Sequence, residues 1–339
     1  MKAQFKNFVG IDINKDTLDV AMIIEGQVVF YESIKNTATA IKKLITQLQK
    51  SYNINFHNTV FCMEYTGIYG SRLIKYLNSE KAVLWLESGT HIKKSLGLTR
   101  GKSDKLDSKR IAGFAFTHVH KIKKYTPARE VIEQLKVLTG ERRRYLKCKK
   151  QVSCAIKEQR QFLDKKLLKE SSKRSDSLIE EFDLQIKTIE KQILQIIKED
   201  EELKRLYKIL TSVDGIGFVA ALELLITTEE FIKINDPKKY ACYSGVVPFE
   251  HSSGTSVHGK NRVSHMANKR AKTALHMSAL SAIKMTGELR EYYLRKVEEG
   301  KNKMSVINAV RNKIVHRVFA CVRDNKMFEK NYQYCLVNP

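Results

Sequence analysis

The chain has 339 residues, enough for two domains with real cores, and carries 61 Lys+Arg against 37 Asp+Glu, a formal charge of +24. So basic a balance favours a polyanionic partner, nucleic acid ahead of membrane, and Glu223 interrupts the best apolar run, residues 219–226, well short of the ~20 residues of a membrane span. The opening residues lack the apolar core of a signal peptide, and six cysteines without Cys-x-x-Cys spacing suggest free thiols in a reducing cytoplasm.

Residues 8–13 read as a buried strand, residues 14–16 as a tight turn, and residues 17–24 as a strand returning beside the first. Asp12 lies in that first strand between Ile11 and Ile13. An ionised carboxylate there is unfavourable unless a cation or a donor compensates it. On an open α/β sheet the compensation is commonly a divalent metal acting on phosphates; hydrogen bonds from the following turn are the plainer alternative. A third strand follows at residues 27–32, and Thr37 caps a helix to Lys50 that aligns Ile41, Leu44 and Leu48. Residues 59–63 form an apolar strand ending at Glu64, residues 69–77 a helix, and residues 82–86 another strand. Three meandering strands followed by alternating helices and strands indicate a mixed α/β sheet of ribonuclease H-like or actin-like type over residues 1–125. On either fold Glu64 lies near Asp12, at the sheet edge where ligands collect.

Asp104 and Asp107 share one face at a helix start, where the dipole also favours carboxylates for capping alone. With Asp12 and Glu64 they make four acids able to hold two hard cations about 4 Å apart. Lys93, Lys94, Arg100, Lys102, Lys105, Lys109 and Arg110 surround the pair, as a phosphate track requires. The segment Gly97-Leu-Thr-Arg-Gly-Lys-Ser103 imitates a P-loop but is one residue too short.

Residues 126–208 read as a helical spacer or dimerisation arm after Pro127. Its first helix is basic, with Arg142, Arg143 and Arg144 candidates for nucleic-acid contact against the alternative of a solvated charged face. Residues 171–177 read as a polar break. Beyond it Phe182, Ile186, Ile189, Ile193, Ile196, Leu203 and Tyr207 make a coiled-coil seam, interrupted by Asp200, that suits an intramolecular hairpin or a dimer arm.

The mostly helical C-terminal domain, residues 209–325, opens on Val213-Asp-Gly-Ile-Gly217, a helix-hairpin-helix turn where Gly215 and Gly217 let backbone N–H groups receive a phosphate. Ser252-Ser253-Gly254 lies in a polar loop, with Lys260, Arg262, Lys269 and Arg270 downstream. A serine hydroxyl needs a base or metal before it attacks, and nearby cations would stabilise a phosphoryl transition state; taken alone the loop is a turn. His251, His258 and His265 lack metal-ligand spacing and read as polar loop residues. Residues 271–284 and 306–322 read as helices, and residues 326–339 as an uninformative tail.

Taken together, Gly10-Ile-Asp12, Met63-Glu64, Ser103-Asp104 with Asp107, Val213-Asp-Gly-Ile-Gly217, Tyr243-Ser-Gly-Val-Val-Pro248 and Ser252-Ser-Gly254 resemble the transposases of insertion-sequence family 110, DEDD-type recombinases related to Piv DNA invertases. The resemblance implies a RuvC-like domain whose Asp12, Glu64, Asp104 and Asp107 bind Mg²⁺, and a C-terminal domain whose serine forms a transient phosphoserine with DNA. The Ser-Gly of that family falls on Ser253-Gly254, with Ser252 the neighbouring candidate. It further implies donor and target DNA as substrates, a structured bridge RNA as guide, dimers pairing into tetramers, and a cytoplasmic, nucleoid-associated protein without a membrane partner. The chain departs from the family at Cys242-Tyr243-Ser244-Gly245-Val246, where Ala-Gly-Leu is commoner. Competing readings are a junction resolvase or DNA invertase without RNA guidance, an actin-like ATPase or sugar kinase lacking its further glycine loops, and a non-catalytic nucleic-acid binder.

Overall fold

The structure, a computed structural model, describes residues 5–97, 101, 103–253, 257–264 and 266–330, with the backbone alone for 250–253, 257, 258, 260 and 261. Arg100, Lys102, Gly254, His265, Cys335 and the tail from 331 lie outside the described residues. The chain divides into two compact units, Met1–Pro127 and Ala128–Pro339.

In the first unit β1 (Asn7–Ile13), β2 (Thr17–Ile24) and β3 (Gln27–Lys35) run as an antiparallel meander. Glu25 and Gly26, with φ of 50° and 84°, supply the positive φ values that a tight hairpin turn demands. Helix α1 (Ala38–Tyr52) starts where the Thr37 hydroxyl accepts from the Ala40 N–H, as the sequence suggested. Strand β4 (Thr59–Glu64) then joins β1 in parallel. Helix α2 (Ser71–Ser79) leads to β5 (Val83–Glu87), parallel to β4. The sheet order β3-β2-β1-β4-β5 is the mixed, ribonuclease H-like arrangement that the sequence indicated.

Alternation along the strands sorts the side chains into two layers. Val9, Ile11, Leu18, Val20, Phe61 and Met63 face α1 and α2. Phe8, Ile23, Val60, Cys62 and Trp85 face α4 (Asp104–Thr117), which follows the short α3 (Gly89–Ser95) and places Phe114 5.0 Å from the Trp85 ring.

The second unit begins with a hairpin of α5 (Glu130–Phe162) and α6 (Lys165–Glu199), broken at Leu163 and Asp164. The polar stretch at 171–177 is helical, correcting the break expected there: its serines are half-buried or exposed, Ser172 accepting from Arg160, while Asp164 supplies the cap by accepting from Lys166 N–H. Ile186, Ile189, Ile193 and Ile197 fill the seam against α5 within the same chain. Arg142–Glu190, Lys149–Asp183 and Arg160–Asp176 ion pairs fix its antiparallel register. The stretch expected to be a separate spacer shares one core with the helices that follow: α7 (Glu201–Ser212), α8 (Phe218–Thr228), α9 (Pro237–Tyr243), α10 (Lys269–Ala282), α11 (Glu288–Glu298) and α12 (Lys303–Arg323). Between α9 and α10 the expected polar loop is instead a hairpin, β6 (Pro248–Ser253) against β7 (Val257–Val263), because Phe249, Val257 and Val263 supply strand-forming residues on either side of the Gly254 turn signal. Among the described residues no helix is long and apolar enough to cross a membrane, and Cys62, Cys148, Cys154, Cys242 and Cys321 carry free thiols.

One ion cluster joins the start of α5 to the rest of its unit. Arg129 donates to both Asp200 oxygens at 2.9 Å and through Nε to Glu230 at 2.8 Å. Glu230 is buried, in a run with Glu229 and Phe231 at φ 48°, 59° and 64°, a conformation non-glycine residues rarely adopt. The clamp and the contact of Phe231 on Phe319, at 4.9 Å, hold that run. Arg129→Ala strands the Glu230 carboxylate, so stability at pH 7 falls by about 2 kcal/mol. Arg129 also holds the Asp200 carboxyl below its ordinary range. That share of stability is complete above the unfolded-state carboxylate pKa and is lost as pH falls through the lower folded value. The gap between wild type and variant in urea denaturation therefore narrows below pH about 4; equal gaps at pH 7 and pH 3 would remove Asp200 from the account.

Candidate functional site

Gly10 determines the geometry of the acidic face. It lies in β1 two residues before Asp12 and so on the same side of the sheet. A Cβ built there would fall 2.1 Å from the Ala112 amide nitrogen and 2.4 Å from the Ser108 carbonyl oxygen. The backbone of α4 thus rests directly on the strand, which brings the first turn of α4, with Asp104 and Asp107, alongside Asp12. Ser103 caps that turn by accepting from the Leu106 N–H. From the β1–β2 turn, Asn14 donates to Asp104 at 3.2 Å.

Asp12 carries the electrostatic signature of this crowding. Its pKa is pushed up to about 6, by burial first and then by the carboxylates of Asp104, Asp107, Glu64 and Asp19. Glu64 ends β4, and its carboxylate occupies the place a Cβ on Gly89 would take, 2.2 Å from its Oε2. Glu64 and Asp107 line one cleft of about 300 Å³ with Lys93 and Arg110. Arg110 reaches Asp107 at 2.9 Å and the Gly101 carbonyl at 3.0 Å. All four expected acids therefore belong to one electrostatically coupled patch.

Two further acids share this face and escaped the sequence reading. Asp19 lies directly across from Asp12 in the β1–β2 register and is buried, accepting from the Tyr31 hydroxyl at 2.7 Å. That bond pushes the Tyr31 phenol up to about 12. Lys105 lies 4.8 Å above the Tyr31 ring, so this expected phosphate contact is anchored beside the acids. Glu87 pairs with Glu64 across β4–β5 but is already engaged, accepting from Ser88 N–H at 2.9 Å and Trp85 Nε1 at 3.2 Å. The signal for Asp19 was the one that exposed Asp12, a carboxylate between apolar residues in a strand.

Hard oxygen donors, repelling one another and partly desolvated, suit a hard divalent cation. Among the described residues no three Asp, Glu, His or Cys side chains are already gathered closely enough to enclose an ion. Binding would have to draw them together, against the mutual repulsion that adds to burial in raising the Asp12 pKa.

In the second unit the expected basic residues divide. Arg142 is turned inward, held on Glu190 at 2.6 Å and stacked 5.9 Å from the Phe218 ring, so it is a hairpin residue and not a free phosphate contact. Arg143, Lys269 and Arg270 line an open groove of about 760 Å³ beside the start of α8. Glu223, buried on α8 with its pKa raised by burial, lies 3.5 Å from Arg143. Arg144 is exposed on α5. Gly215 has a reason unconnected with phosphate: at φ 88° its Cβ would meet the Ser278 carbonyl oxygen at 2.3 Å, so α10 packs onto the turn. Gly217 opens α8 with free space around it. Ser253 closes β6, its backbone paired with Val257, and Ser252 pairs with His258. Arg262 is exposed on β7, which also carries Lys260. The side chains of Ser252, Ser253 and Lys260 lie outside the described ones.

Comparison with known proteins adds a lineage to this geometry. A family model described as "Transposase", for the DEDD transposases of IS110 elements, matches residues 9–165, and one described as "Transposase IS116/IS110/IS902 family" matches residues 207–294. The pilin gene-inverting protein of Moraxella bovis is 25% identical over 96% of this chain and 98% of its own. An IS110 insertion-element protein of Streptomyces coelicolor is 30% identical over 38% of this chain and 31% of its own. A structure of Thermus thermophilus RuvC with a Holliday junction substrate aligns with 35% of this chain and 99% of its own, at 11% identity and a TM-score of 0.29.

Gly10→Ala tests the close approach that assembles the acids. Backbone atoms 2.1 Å away cannot rotate aside, so α4 must lift from β1, destabilising the protein by about 3 kcal/mol. Chemical denaturation measures this, and a loss below ~0.5 kcal/mol, the scale of an ordinary surface substitution, would show that α4 does not bear on Gly10.

Proposed function

The chain belongs to the IS110 family of transposases, a family of DNA-processing enzymes, and from that premise we propose that it cuts and rejoins donor and target DNA through a phosphoserine intermediate under the guidance of a structured RNA. The observation that carries the proposal is the convergence on one sheet face of Asp12, Glu64, Asp104 and Asp107, registered in the raised pKa of Asp12. DEDD transposases and RuvC-like nucleases are generally dependent on divalent metals, and Mg²⁺ is the ion proposed here, held by those four acids. Bound there it would neutralise charge on the scissile phosphate and polarise it toward attack.

Ser253 is the proposed nucleophile, with Ser252 its neighbour. Its Oγ forms a bond to phosphorus as one deoxyribose oxygen departs as a hydroxyl, taking the serine proton overall. The phosphoserine ester conserves the broken bond, so a hydroxyl from another DNA strand can displace the serine and complete the exchange. The acids belong to Met1–Pro127 and the serine to Ala128–Pro339, so the reaction requires the two units to act on one phosphate, within a chain or between subunits. Exposed Phe162, Leu163 and Leu167 at the tip of the α5–α6 hairpin support a second copy as partner, consistent with a homodimer that pairs into a tetramer. Arg143, Arg144, Lys105, Lys260, Arg262, Lys269 and Arg270 are proposed as sequence-independent phosphate contacts, with base pairing to the RNA choosing the site. The near full-length likeness to a pilin gene-inverting protein favours a second reading, site-specific inversion without RNA. Strand exchange by the purified protein free of RNA would select that reading.

Two variants test the chemistry separately. Asp12→Asn removes a carboxylate disfavoured by burial and by its neighbours, so the metal-free protein gains on the order of 1 kcal/mol once the half-exposed group is discounted for screening, while stabilisation by added Mg²⁺ in thermal unfolding disappears. An unchanged Mg²⁺ response would take Asp12 out of the metal site. Ser253→Ala abolishes the covalent protein–DNA adduct seen on denaturing gels and leaves DNA binding intact; adducts at the wild-type level would transfer the role elsewhere, with Ser252→Ala the next measurement.

A further inference from the structure

Arg311 lies on α12, beyond the residues matched by either family model, and is 6% exposed. Its surroundings are unusual for a buried cation. Nη2 donates to His276 Nδ1 at 2.6 Å and Nη1 to Asn308 Oδ1 at 3.3 Å, both neutral acceptors, while the buried Nε has no partner. Among the described residues no carboxylate lies within ion-pair distance of it. A guanidinium removed from water and left without a counter-charge is strongly unfavourable, and the Arg311 pKa is drawn down by that burial. His276 supplies no counter-charge, because an imidazole is neutral or cationic and never an anion; burial and then Arg311 lower its pKa.

Arg311 borders an open groove of about 870 Å³ that is also lined by Pro248, Arg262, Ser305, Asn308 and Asn312. The Asn312 amide oxygen is likewise buried without a partner; turned over, that amide presents its NH₂ instead. The groove is built into the part of the fold that carries Ser253. Asn308 donates to the Val246 carbonyl at 2.6 Å, tying α12 to the segment that runs into β6, and at the base of the β6–β7 hairpin Pro248 pairs with Val263 and Phe249 with Arg262. The wall of the groove and the serine strand are therefore one piece of backbone.

We propose that this groove is a phosphodiester-binding site for DNA, in which a backbone phosphate supplies the missing counter-charge to Arg311, with Arg262 at its rim. A planar guanidinium fork matches phosphate oxygens better than any neutral ligand would. The site holds the strand against the base of the hairpin that carries Ser253. Only that last assignment, of the strand as the one attacked, rests on the serine reading; the anion site itself does not.

The test uses the full-length chain with Arg311→Met and Arg311→Lys. Inorganic phosphate, compared with chloride at equal ionic strength, raises the melting temperature of the wild type and leaves that of Arg311→Met unchanged. Without phosphate, Arg311→Met melts no lower than the wild type, because a stranded cation has been removed. Its affinity for duplex DNA falls about tenfold irrespective of sequence, and the slope of log affinity against log salt drops by about 1. Arg311→Lys keeps the charge but not the fork, so its salt slope stays while its affinity falls, and it serves alone if the Met variant does not fold. Equal phosphate stabilisation of wild type and variant, unaltered DNA affinity in both variants, or a loss confined to an RNA hairpin probe would each overturn the proposal. The Ser253→Ala protein separates the two ideas: DNA binding lost with Arg311 while adducts persist without Ser253 rejects the nucleophile and keeps the groove, and the reverse pattern rejects the groove alone.

Discussion

The first unit depends on the backbone-to-backbone contact between β1 and α4 at Gly10. Side chains normally hold a helix about 10 Å from a sheet, and at that spacing the first turn of α4 would be too distant to feel Asp12. Removing one Cβ lets the helix descend onto the strand, and Asp104 and Asp107 descend with it. The apolar contacts of Ile111, Ala112, Phe114 and Ala115 with Phe8, Val60 and Trp85 then stabilise an arrangement that the carboxylates, taken alone, resist. Hydrophobic burial thus offsets the electrostatic repulsion, and the stored repulsion is what a cation would relieve.

The second unit handles its charge differently. Its excess of lysine and arginine is not uniformly available to a polyanion. Several cations are occupied in holding helices together: Arg142 and Lys149 across the α5–α6 hairpin, Arg129 at the start of α5, Arg143 beside the buried Glu223. Those without a carboxylate partner form a different class, in which Arg311 is the most buried among the described residues. Charge count alone predicts a nucleic-acid partner; pairing decides which cations can meet it.

The chemistry proposed here joins these two solutions. A divalent cation held by the acids of Met1–Pro127 would polarise a phosphate, and a serine on the hairpin braced by α12 in Ala128–Pro339 would attack it. Neither unit has the full set of groups. That division gives a physical basis for regulation by assembly, because cleavage would await whatever brings the units onto one strand.

Much of this was legible in the residue order. The meander, the strands after it and the Thr37 cap follow from local rules, period-two alternation and capping chemistry, and Asp12 stood out through the unfavourable energy of a carboxylate between isoleucines. The seam of α6 was readable too, as a heptad pattern, although pattern alone could not name its partner. What only the tertiary structure decided depends on contacts between residues distant in sequence. Asp19 faces Asp12 through strand register, Arg142 meets Glu190 across a hairpin, Gly215 accommodates α10, and Arg311 is buried against His276 with no carboxylate at ion-pair distance among the described residues. Local sequence specifies which backbone conformation a segment prefers, whereas the partner of a charge, or its lack of one, emerges only when the packed chain closes around it.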